Sequence, residues 1–183
     1  MIFCSGIHGV GKDYFLKEIE EVTGIKSYSA SELIEEYGSI KFNFDKKTKD
    51  IGENQEYLLR AIRSGNLPKE YILNGHFCLL NSRGEPERVP IATFYELSPN
   101  RIIILKEKPE IIVGRRMIRD RQEVSVEDTK RFQDEEIAYG KEVAKKLEVP
   151  IAVFDATKET EKAVRFISRG INENRNFMRI DAK

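Results

Sequence analysis

Met1-Ile2-Phe3-Cys4-Ser5-Gly6-Ile7-His8-Gly9-Val10-Gly11-Lys12 opens the chain. An apolar run passes into a glycine loop, and the loop ends on a lysine that begins an amphipathic segment. From Gly6 to Lys12 the spacing is G-x-x-x-x-G-K, the pattern of a phosphate-binding loop between a strand and a helix. Glycines let successive N–H groups turn inward toward an anion, and the helix N-terminus adds partial positive charge. Lys12 brings a point charge to the outer phosphates. The next position in this pattern is Ser or Thr, whose hydroxyl binds Mg²⁺, and here it is Asp13. A bare glycine turn, packing a helix on a strand, is the plainer reading. The context favours phosphate: Phe15, Leu16, Ile19 and Val22 recur at helical spacing, and Gly24 supplies a C-terminal stop.

The 183 residues suffice for one domain with a substantial core. Lys and Arg number 31 and Asp and Glu number 31, so no global field favours a nucleic acid polymer or an anionic membrane. No apolar run reaches the length of a membrane span. The expected partner is a small molecule, and the expected assembly is a monomer or homodimer. Cys4 and Cys78 lie in apolar stretches without metal spacing. They read as buried free thiols of a reducing, cytoplasmic setting, where a disulfide is the lesser alternative. The strand at the very start leaves no room for a secretory leader.

Apolar runs at 1–5, 25–29, 70–75, 101–106 and 151–154 read as strands, with Ile102-Ile103-Ile104-Leu105 as continuous as buried parallel strands are. Helical periodicity falls between them at 11–23, 30–37, 52–65, 110–121, 126–147 and 158–171. Alternation of this kind predicts an α/β fold, a five-stranded parallel sheet with helices on both faces. Ser29 or Ser31 would cap the second helix, and Asp155 and Thr157 the last. Residues 38–51, with Lys41, Lys46, Lys47 and Lys49 around Phe42 and Phe44, read as a mobile acceptor-side loop. Residues 81–100 carry Gly84, Pro86, Pro90 and Pro99 and read as irregular, with one helical turn near 91–97. The domain is expected over 1–171, followed by a polar tail at 172–183.

These features together resemble the P-loop kinases of the adenylate-kinase type, the nucleoside and nucleotide monophosphate kinases. The likeness covers residues 1 to about 171. It rests on the Gly6–Lys12 loop and on Ser29-Ala30-Ser31-Glu32-Leu33, which looks like the start of an acceptor-side helix. It rests also on Ile72-Leu73-Asn74-Gly75-His76, similar to the end of the third strand, and on Lys108-Pro109-Glu110 followed by Arg115, Arg116, Arg119, Asp120 and Arg121. The last resembles a helix and short lid, here 115–125, that bring arginines over phosphates.

The resemblance implies ATP and Mg²⁺ as donor and cofactor, and a nucleoside or nucleotide as acceptor. It places the donor on Gly6, His8, Gly9, Val10, Gly11, Lys12, Asp13 and Arg115, and the chemistry on Lys12, Arg115 and Arg119. It also puts the adenine-binding loop at Asp155-Ala156-Thr157. Two positions depart from the pattern. Such kinases hold Mg²⁺ with the loop hydroxyl and an acid on the third strand; here these are Asp13 and Asn74. Either the two have swapped roles, with Asp13 giving the carboxylate and Asn74 a neutral oxygen, or the site binds nucleotide without turnover. Asp13 also reads simply as a first-turn acid that suits a helix N-terminus.

Other candidates divide between chemistry and packing. Arg115 and Arg119, at i and i+4, share a helix face, whereas Arg116 is expected to point elsewhere. His8 reads as a loop spacer more than a reacting group. His76 lies where ligands meet a parallel sheet, and either touches the acceptor or packs beneath 81–100. Ser29, Ser31 and Glu32 follow the second strand on the same rim, as caps or as acceptor contacts. Asn54 and Gln55 open the helix after the Lys/Phe loop, reading a base or hydroxyl or simply solvated. Phe42, Phe44 and Tyr57 either stack on an acceptor base or pack in the core. Gln133-Asp134-Glu135-Glu136 reads as a solvated acidic face that pairs with the arginine helix.

Overall fold

The structure is a computed structural model and describes residues 1–38, 51–64, 66–81, 83–121 and 123–169. Its elements run β1 (Ile2–Ser5), α1 (Lys12–Thr23), β2 (Ser27–Ser29), α2 (Ala30–Gly38), α3 (Ile51–Arg63), β3 (Ile72–Gly75), β4 (Cys78–Leu80), β5 (Pro86–Arg88), α4 (Ile91–Leu97), β6 (Arg101–Lys106), α5 (Pro109–Asp120), α6 (Val126–Leu147) and β7 (Ile151–Asp155). A last helix, α7, occupies 160–169.

Five strands form one parallel sheet in the order β2-β3-β1-β6-β7. The apolar runs are continuous because the central strands are covered on both faces. β1 is buried at every position, and β6 at all but Lys106. Ile102, Ile103, Ile104 and Leu105 are fully enclosed, with Phe77, Phe94 and Phe3 in edge and tilted ring contacts beside them. The fold is α/β, with helices crossing between parallel strands, as such connections require. Among the described residues no helix is long and apolar enough to cross a membrane.

In-register pairing gathers the carboxyl ends of the strands. Ser5 lies opposite Gly75 and Ile104, and Lys106 opposite Asp155. The glycine loop, the turn after β3, Glu107 and the turn after β7 therefore share one rim.

Several local expectations need correction. Residues 81–100 are more ordered than their prolines suggest: β4 and β5 form an antiparallel hairpin, closed by Asn81 through its Oδ1 to the amides of Arg83 and Glu85, and α4 follows. Val22 is exposed and is no part of the buried face of α1, which is Lys12, Phe15, Leu16 and Ile19. Gly24 does end that helix, at φ 71° with its N–H on the Glu20 carbonyl. The α2 cap is Ser29, whose Oγ accepts from the Glu32 amide at 3.4 Å; Ser31 instead meets that hydroxyl at 2.9 Å. The expected loop at 38–51 falls, for 39–50, outside the described residues, as does the tail at 172–183. Cys4 and Cys78 are buried free thiols.

Candidate active site

Backbone conformation shapes the loop first. Gly9 and Gly11 sit at φ 85° and 106°, where side chains are strained. A Cβ on Gly9 would stand 2.9 Å from Cγ of Arg116 and 3.2 Å from Cγ2 of Ile112. Gly11 leads directly into α1, whose first-turn amides have no helical carbonyl to bond. Lys12 is buried, and its Nζ donates to the Gly6 carbonyl across the loop. The result is a pocket of main-chain donors with an ammonium held inside it, at a helix N-terminus. That arrangement fits a polyphosphate.

The arginine helix reaches the loop from the other side. Arg115 donates through Nη1 to the carbonyls of Val10 at 2.8 Å and Gly9 at 3.3 Å, and through Nη2 to Glu107 Oε2 at 3.3 Å. Glu107 is buried just beyond β6. The same oxygen accepts from Thr157 Oγ1 at 3.3 Å, while Gln133 clasps the Glu107 backbone with Oε1 on its amide and Nε2 on its carbonyl, both at 3.0 Å. One carboxylate thus joins α5, and through Arg115 the glycine loop, to the turn after β7. Arg116 does not point elsewhere. It is buried, with its stem against Gly9. Arg119 stands exposed in the last turn of α5, and Arg121 follows in the left-handed region at φ 53°.

On the opposite side of the loop, half-buried His8 meets His76, with ring centroids 4.3 Å apart. Asn74 is half-buried at the end of β3, and Asp13 is exposed in the first turn of α1. Among the described residues no group of three or more His, Cys, Asp or Glu forms a metal cage. Asp13 and Asn74 offer hard oxygen donors, which suit Mg²⁺ completed by phosphate oxygens and water.

The acidic run on α6 requires the largest correction. Asp134 is exposed and pairs with Lys130, and Glu135 takes Arg88 Nε at 2.6 Å. Gln133 and Glu136 point inward. Glu136 is fully buried and accepts from the amides of Phe77, at 3.0 and 3.1 Å, and Cys78, at 2.6 Å. It therefore pins the turn that carries His76. Burial pushes its carboxyl up to about 7, and those amides and the charge of Lys12 pull against that rise. Its signal was available in sequence. Phe132, Gln133, Glu136, Tyr139, Gly140 and Val143 follow one helical phase, and two polar residues on an apolar stripe mark an inward role.

A sequence model of the AAA domain family matches residues 5–133, from the end of β1 through α5 into α6. The chain belongs to the AAA domain family. No curated protein matches it in sequence. Solved structures resemble this AAA domain protein over nearly its whole length. Shikimate kinase from Acinetobacter baumannii, in complex with shikimate, superposes with a TM-score of 0.59 at 15% identity, covering 94% of this chain and 93% of that one. Deoxyadenosine kinase from M. mycoides, with dCMP and dCDP bound, gives 0.55 at 19%, covering 94% and 99%. A gluconokinase from Sinorhizobium meliloti gives 0.51 at 13%, covering 100% and 97%. The fold is the one these P-loop kinases share.

Proposed function

We propose that this AAA domain protein transfers a phosphoryl group from ATP, with Mg²⁺, to a small acceptor, a nucleoside or nucleoside monophosphate. The observation that carries the reading is Lys12, buried inside a strained glycine loop at the head of α1 and at the carboxyl rim of a parallel sheet. Backbone amides of Gly6, His8, Gly9, Val10 and Gly11, with Asp13 beside them, would hold the donor's phosphates. Lys12 offsets charge on the transferring group. Asp13 and Asn74 would hold Mg²⁺, which when bound neutralises the outer phosphate oxygens. Arg115 keeps the loop in its binding shape through the Gly9 and Val10 carbonyls, and Arg119 would close on the group in flight. Such catalysis is mostly positioning and electrostatics. The acceptor would enter between α2, α3 and the His8–His76 contact.

A second reading is an ATPase-like regulatory module without a small acceptor. One observation favours it: the Arg115 guanidinium is engaged by loop carbonyls and Glu107 rather than turned to a reacting group. ADP release, measured with ATP and Mg²⁺ across a panel of nucleosides and monophosphates, separates the two. Stimulation by one acceptor is the expected result; equal release with every acceptor and with none selects the ATPase. In an ATP titration with and without Mg²⁺, Asp13→Ala removes the Mg²⁺-dependent part of binding and spares binding of the free nucleotide. Arg119→Ala lowers kcat by about 10-fold or more with little change in ATP affinity, as expected for a contact made in the transition state.

A further inference from the structure

Helix α5 has two unlike faces. Its inner side carries Ile112, Arg115 and Arg116 against the loop. On the outer side Ile111, Met117 and Ile118 are 40%, 57% and 85% exposed, and among the described residues nothing lies within 4 Å of where a Cβ on Gly114 would stand. At about 100° per residue, Ile111, Gly114 and Ile118 fall within roughly 60° of one another, with Met117 at their border. Single exposed aliphatics are ordinary, but a stripe of them about a glycine marks a contact surface. Glu110 and Arg121, both exposed, flank the stripe on the same edge at opposite ends of the helix.

We propose that this face binds a second copy of the chain, α5 against α5, antiparallel about a two-fold axis near Gly114. The sequence is self-complementary in that register. Ile111 meets Ile118 of the second copy and the reverse, as an isologous contact demands. Glu110 comes within a turn of Arg121 of the second copy, so opposite charges close both ends. Gly114 lets the two helices approach closely at the crossing. A single helix face falls short of the ~800 Å² per partner of a standard interface, so the dimer is weak and forms with rising concentration. This inference stands apart from phosphoryl transfer and does not need it.

Sedimentation of the full chain tests it, from about 5 to about 500 μM, a span that brackets micromolar affinity. The expected result is a monomer at the low end and a dimer at the high end. Ile118→Arg gives a monomer throughout, with circular dichroism and thermal midpoint unchanged. Glu110→Arg and Arg121→Glu each weaken association by about 5-fold or more, and the double reversal restores it to within about 3-fold, as coupled neighbours do. A chain that stays monomeric at every concentration overturns the proposal. So does a dimer that survives Ile118→Arg, or a double reversal as weak as its parents. The charge pair decides the matter if Ile118→Arg does not fold.

Discussion

Glu136 shows how one residue can be both structural and titratable. Its ordinary value is 4.5, and burial raises it to about 7. A carboxyl raised in the fold favours folding in its protonated form. That contribution is complete below pH 4.5 and is lost as pH climbs to about 7, after which this group adds no further slope. At about 1.4 kcal/mol per unit the loss is on the order of 3 kcal/mol. Glu136→Gln removes it, so in urea titrations from pH 4.5 to 8 the wild type loses stability relative to the variant as pH rises. Carboxylates held low by their partners, such as Glu142 and Glu159, act below this window. A wild type and variant whose stabilities run parallel across the range would show Glu136 ionised in the fold.

Helix α6 lies on the sheet because position 140 has no side chain. A Cβ there would stand 2.5 Å from Ile104 Cδ1 and 2.8 Å from two ring carbons of Phe77. Gly140→Ala gains up to about 1 kcal/mol of helix propensity and costs about 1 to 3 kcal/mol in overpacking. With contacts as short as 2.5 Å the cost lies toward the upper end, so the expected net effect is destabilisation by up to about 2 kcal/mol, read as a lower urea midpoint at unchanged slope. Elements of this kind explain which parts of the structure the sequence disclosed. The glycine loop was legible because its chemistry is local: glycines, a lysine and the flanking periodicity lie within two dozen residues. The hairpin of β4 and β5 was not, since its strands are three residues each and the second begins on Pro86. Glu136 reaches amides 59 and 58 residues away, and Arg115 reaches carbonyls more than 100 away. Nothing in a short window announces such pairings; the apolar phase of α6 carried a signal that Gln133 and Glu136 face inward, but the acidic run masked it and the segment read as a solvated face.

At the scale of the molecule, a nucleotide that fits the loop stabilises the fold by mass action. ATP and Mg²⁺ at 100 times the dissociation constant add about 2.7 kcal/mol. For a chain of this size that raises the thermal midpoint by roughly 5 to 10 °C. Gly9→Ala, which crowds Arg116 and strains the backbone, abolishes the increment. A midpoint indifferent to ATP in the wild type would remove the phosphate-binding reading altogether. The five-stranded parallel sheet followed from the alternation of apolar runs with helical segments; the strand order, with β1 between β3 and β6, did not, because it is set by contacts between runs far apart in the chain. The acceptor did not follow, because the residues that line its side are polar types that serve equally as caps and surface groups.

The chain's two cysteines have a practical consequence. Both lie sealed in the core, Cys4 on β1 and Cys78 on β4, and burial holds the Cys4 thiol at about 12 and raises that of Cys78 as well. A maleimide or an aromatic disulfide reagent therefore finds nothing to react with while the sheet stays shut. The labelling rate becomes a clock for rare openings of the interior, supplied by the native chain without any engineered probe.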